Sequence, residues 1–110
     1  MATIETSYLG ELRTEAKHVL SGNTLITDAP LDNQGKGKAF SPTDLMSASL
    51  GSCMFTIMGI AAREHGFKID GSTCSITKIM AAEPRRVSEI QISFNFPAIQ
   101  YSDKQKLKLI

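Results

Sequence analysis

The chain has 110 residues, 42% of them hydrophobic, with a net charge of +1, two cysteines and no tryptophan. This composition fits one small globular domain and excludes a disordered chain. With charge near zero, no basic cluster beside aromatic side chains and few aromatics, it also argues against a nucleic-acid surface built on phosphate contacts or base stacking.

In chain order, Met1 to Tyr8 alternates polar and apolar residues and carries Glu5, without the basic start and apolar run of a signal peptide. Two cysteines in unlike surroundings, with no secretory signal, make the reducing cytoplasm the expected compartment and a free or catalytic thiol the expected state. Three short strands are predicted at Thr3–Leu9, Leu12–His18 and Asn23–Asp28, divided by Gly10 and by Ser21-Gly22. A loop containing glycines and lysines follows over residues 29–40.

A helix of about 23 residues, or roughly 35 Å, is then predicted. Ser41 suits its N-cap, Pro42 its first position, and Asp44 the acidic half of a capping box. Gly66 suits the residue past its C-terminus, with Arg63 and His65 near that end, where the helix dipole favours cations. Leu45 to Ala62 is apolar or small throughout and approaches membrane-spanning length. Its serines (Ser47, Ser49, Ser52), Thr56, Gly51 and Gly59, with Asp44 and Arg63 at its ends, favour a buried helix in a non-membrane protein, covered on every side.

Two further strands follow as an antiparallel hairpin. Ser72–Met80 places Cys74, Ile76 and Met80 on one face, and Val87–Phe96 places Ile90, Ile92, Phe94 and Phe96 on one face, with Glu83-Pro84-Arg85 as the turn. Ser102 and Gln105 then open a short amphipathic helix, with Leu107 and Ile110 as its stripe; it reads as cut at Ile110. The expected architecture is α+β, βββ-α-ββ-α, in a single domain over residues 1–110. One short sheet is too little cover for an all-round apolar helix, so a homodimer with paired central helices is expected.

Cys53, about three turns into the helix, has two readings. It is either a small buried hydrophobe among Met54, Ile57 and Met58, or a reactive thiol needing a cation to stabilise its thiolate. Arg13, Lys17, His18, Lys36 and Lys38 are the candidate cations. Cys74, alternating with Ile76, reads as structural; a 53–74 disulfide stays open, although the spacing is no redox motif. Cys53, Cys74, His18 and His65 have no zinc-ligand spacing, Gly35-Lys36-Gly37-Lys38 lacks the context of a phosphate loop, and no serine elbow is present. No metal or cofactor is called for.

The run Ala39-Phe40-Ser41-Pro42-Thr43-Asp44-Leu45-Met46-Ser47-Ala48-Ser49-Leu50-Gly51-Ser52-Cys53, continuing into Met54 to Met58, resembles the OsmC/Ohr family of thiol peroxidases. A helix start of Ser/Asn-Pro-x-x-Leu runs through small residues into a cysteine, and the order of elements agrees over most of the chain. The resemblance implies a swapped homodimer of two sheets around two central helices. Its sites would lie at the dimer interface, with Cys53 as peroxidatic thiol, an organic hydroperoxide as substrate and a dithiol as reductant. An arginine and a glutamate assist in that family, and a second cysteine resolves the sulfenate.

The sequence departs from the pattern in three places. Thr43 stands at the glutamate position and Asp44 one residue later; Arg13 is the nearest counterpart of the arginine; and the resolving cysteine would fall just beyond Ile110. The assigned catalytic residues are therefore Cys53, Asp44 and Arg13. The alternative is a non-enzymatic member of the fold that binds a small apolar ligand.

Overall fold

A computed structural model describes residues 2–96. The short helix expected from Ser102 lies outside the described residues. The chain divides into two compact units between Met46 and Ser47.

The first unit is a three-stranded antiparallel sheet in the order β1-β2-β3: β1 (Ile4–Gly10), β2 (Arg13–His18) and β3 (Thr24–Asp28). The β1–β2 turn differs from expectation. Leu12 was expected to open the second strand, but Glu11 and Leu12 both turn back at φ 56° and 62°. Two residues joining paired strands need positive φ at both positions to match strand twist, and that demand overrides the strand preference of leucine. Thr27 forms a parallel bridge with Phe40, closing the loop of residues 29–40, which contains a 3-10 turn at Leu31–Asn33. Gly35 is required there. A Cβ at that position would collide with the Ala29 carbonyl, while its own N–H donates to Pro30 O at 2.9 Å.

α1 (Pro42–Glu64) has 23 residues, as its punctuation predicts. Ser41 Oγ accepts from Asp44 N at 3.0 Å, and Asp44 Oδ2 accepts from Ser41 N at 3.1 Å. This reciprocal capping box satisfies two backbone donors at the helix start. Ser41→Ala, which removes one half of it, is expected to lower the unfolding free energy by about 1 kcal/mol, measured by urea denaturation. At the other end Gly66 takes φ 77°, Phe67 N donates to Ala62 O at 3.0 Å and Gly66 N to Arg63 O at 3.3 Å. That is a Schellman cap, with His65 just outside the last helical residue.

The second unit packs α1 on an antiparallel hairpin of β4 (Thr73–Ala81) and β5 (Arg86–Asn95). Cys74 pairs with Phe94, Ile76 with Ile92, Lys78 with Ile90, and Met80 with Val87 across a bulge. These residues form the half-buried face, while Ser75, Thr77, Gln91 and Ser93 are exposed, so the predicted alternation holds with Lys78 added to the inner face. Phe55 of α1 meets Phe94 edge to face, 5.1 Å between ring centroids.

Gly51 is the close approach. A Cβ there would lie 2.6 Å from Ile76 Cδ1 and 3.5 Å from Cys74 Sγ. Alanine needs only a shift of the flexible Ile76 tip, and its better helix propensity, about 1 kcal/mol, offsets that cost. Gly51→Leu has no such room and is expected to destabilise by about 3 kcal/mol in the same denaturation experiment.

Within a single chain the buried residues of α1 are Ser47, Gly51 and Ala62. Leu50, Ile57 and Ile60 are 42%, 62% and 53% exposed. Two strands at about 4.8 Å spacing cover one face of a helix and no more. α1 is also long and apolar enough to cross a membrane, with a mean hydropathy of 1.6; core helices of soluble proteins pass the same test.

Candidate active site

Cys53 lies on the uncovered face of α1. Leu50 precedes it by three residues, and Ile57 and Ile60 follow at four and seven, so helical periodicity sets all four on one stripe. Its thiol is free and exposed.

Cys74 is also free and is half-buried. Its Sγ faces Gly51, and Cys53, two residues further along, is turned about 200° around the helix axis. The open disulfide between them is therefore not formed, because the two sulfurs belong to opposite sides of α1.

The other two assigned residues are engaged in the first unit. Asp44 holds the capping box, and Thr43, at the family's glutamate position, places Oγ1 3.2 Å from Ser41 Oγ. Arg13 pairs across the sheet with Asp28, its Nε donating to Asp28 Oδ1 at 2.9 Å. Asp28 is the partner of Arg13 that the sequence reading did not name. Its side chain is fully buried, and its Oδ2 accepts from Lys38 N at 3.1 Å. Register held the signal. Antiparallel pairing of the second and third predicted strands across Ser21-Gly22 sets position 28 opposite position 13. Among the described residues no cluster of His, Cys, Asp or Glu could hold a metal ion.

Two small antiparallel sheets and one long helix carrying an accessible thiol define an α+β protein of the kind expected from the segment leading into Cys53. Residues 35–110 match the family model for OsmC-like protein, and the chain belongs to that family. A crystal structure from Psychrobacter arcticus, named as a candidate osmotic stress induced and detoxification response protein, is 53% identical. It superposes with a TM-score of 0.93 over 99% of this chain and 79% of that one. A second, from Legionella pneumophila, is named as an organic hydroperoxide resistance protein OsmC, predicted redox protein and regulator of sulfide bond formation. It is 12% identical, with a TM-score of 0.66 over 99% of this chain and 80% of that one, and shares the fold. None of the curated proteins matches the chain significantly.

Proposed function

We propose that this chain is a cytoplasmic thiol peroxidase of a stress-related redox response, reducing organic hydroperoxides through Cys53 as a homodimer. The observation that carries the reading is the exposed free thiol of Cys53 set among Leu50, Ile57 and Ile60 in a chain of the OsmC-like family. Apolar walls suit an organic peroxide. The names of the two structural neighbours, detoxification response and redox protein, support the stress-related role.

The Cys53 thiolate attacks one peroxide oxygen and the O–O bond breaks. The sulfur keeps that oxygen as a sulfenic acid, and the alkoxide takes a proton and leaves as an alcohol. A dithiol then returns the sulfenic acid to the thiol, releasing water and closing to a disulfide. Arg13 is the assigned cation; Asp44, committed to the cap, is given no part in the chemistry. A second copy of the chain covers the stripe around Cys53, since an apolar helix face of this kind needs an apolar partner. The test is dithiothreitol-dependent loss of cumene hydroperoxide, expected with the unaltered chain and lost in Cys53→Ser.

The non-enzymatic reading has one observation in its favour. The second unit holds a half-open concavity of about 760 Å³, with Ile60, Ala62, Phe67 and Ile69 among its walls. Binding of an apolar fluorescent probe there, with peroxide consumption absent, would favour that reading.

A further inference from the structure

We infer that the concavity at the C-terminal end of α1 is a binding site for an aromatic monocarboxylate, with the ring laid on the bare backbone at Gly59 and the carboxylate on Arg63. The site lies wholly within the second unit and needs neither reading of Cys53. Its shape follows from how the helix ends. Gly66 at φ 77° turns the chain back, and Phe67 N donates to Ala62 O at 3.0 Å, so Phe67 and Ile69 line the same hollow as Gly59. Thr56, Gly59 and Arg63 follow one another at three and four residues and share one helix face. Thr56 and Gly59 each stand one position before Ile57 and Ile60, so this face is turned about 100° from the stripe that carries Cys53.

The two glycines inside α1 differ in what stands over them. At Gly51 the tip of Ile76 occupies the missing side chain's place, whereas a Cβ at Gly59 would meet nothing within 4 Å. A glycine inside a helix costs stability, and an open one lets a ligand approach the backbone closely. The hollow of about 760 Å³ falls within the usual range of small-molecule sites, about 300–1,000 Å³. The charges around it select the class of ligand. Arg63 is exposed, and among the described residues its guanidinium has no hydrogen-bond or ion-pair partner. Its planar fork matches a carboxylate. Lys68 and Asp70 on the same wall contribute one charge of each sign, which leaves the lining at +1 and suits one anionic group rather than two. The carbonyls of Ala61, Ala62 and Arg63 accept the N–H groups of residues 65–67, so the negative end of the helix is covered there. Thr56 Oγ1 already donates to Ser52 O at 2.9 Å and has no proton left for a second anion. Phe67 and Ile69 supply apolar walls, against which a flat ring buries area without stranding a polar group.

The experiment uses the full chain with 2-naphthoate as the probe, read by its fluorescence anisotropy. The chain has no tryptophan to interfere. Saturable binding is expected, with neutral 2-naphthamide about fivefold weaker, the scale of one exposed ion pair. Arg63→Gln should weaken naphthoate by about the same fivefold and leave naphthamide unchanged. Gly59→Leu should abolish binding of both, because its side chain fills the hollow. That variant should unfold at no lower urea concentration than the unaltered chain, since leucine favours a helix over glycine. If it does not fold, the two probes compared on the unaltered chain and on Arg63→Gln decide. Equal affinity for naphthoate and naphthamide, or no saturable binding at about 1 mM probe, overturns the inference. So does undiminished binding in a folded Gly59→Leu, which would place the probe elsewhere, as on the stripe around Cys53. Peroxide consumption is a separate readout. Cys53→Ser should bind naphthoate as the unaltered chain does, so the failure of either claim leaves the other standing.

Discussion

Cys53→Ser is expected to leave cumene hydroperoxide consumption at the uncatalysed background, a fall of at least about a thousandfold. The reason is chemical. Peroxide reduction requires a polarisable nucleophile that can accept an oxygen, and a serine hydroxyl cannot form the sulfenic acid through which the turnover passes. Cys74→Ser is the matched control and should retain the rate, because Cys74 is turned toward Gly51 on the covered side of α1. A sulfenic acid trapped by dimedone on Cys53 after one equivalent of peroxide, and absent from the variant, would place the oxidation at this sulfur. Peroxide consumption unchanged in Cys53→Ser would refute the assignment outright.

The second large effect is expected at Ile57. It is 62% exposed and stands one turn beyond Cys53 on the uncovered stripe. If a second copy covers that stripe, each Ile57 contributes about 1.5–3 kcal/mol of apolar burial. An aspartate there would also lose water without gaining a partner, a further cost of a few kcal/mol. A two-fold interface counts every substitution twice, so Ile57→Asp should weaken the dimer by about 6 kcal/mol or more, roughly ten-thousandfold in Kd. Sedimentation equilibrium in detergent-free buffer should show a dimer for the unaltered chain and a folded monomer for the variant. A monomeric unaltered chain, or a chain that stays dispersed only in detergent, would count against a second copy as the cover. If the thiol also needs that cover, the variant loses peroxidase activity along with the dimer.

Gly51, Ser41 and Asp28 show how differently single residues can be read. The Ser41–Asp44 capping box and the Gly66 turn were legible in full, because a cap is a contract among residues at most five apart and needs nothing from elsewhere. Ile90, Ile92 and Phe94 were equally legible, since alternation fixes a strand face wherever one side meets a core. Leu12 was misplaced because strand preference is weak beside the backbone demand of a two-residue turn. Asp28 was passed over because a carboxylate at a strand end usually meets water, and only pairing with Arg13 makes it a buried clamp.

Cys53 lies between these cases. From its sequence alone the chain determined a long apolar helix, its two caps, five strands and an α+β order, and it placed the thiol about three turns inside, since spacing and punctuation act locally. Which side of that helix is covered was decided only by the tertiary structure. A helix apolar all round gives no preferred face to bury, and in the folded chain the sheet comes close at Gly51, where no side chain stands in the way. That contact turns Cys74 inward and leaves Cys53, Ile57 and Ile60 facing out.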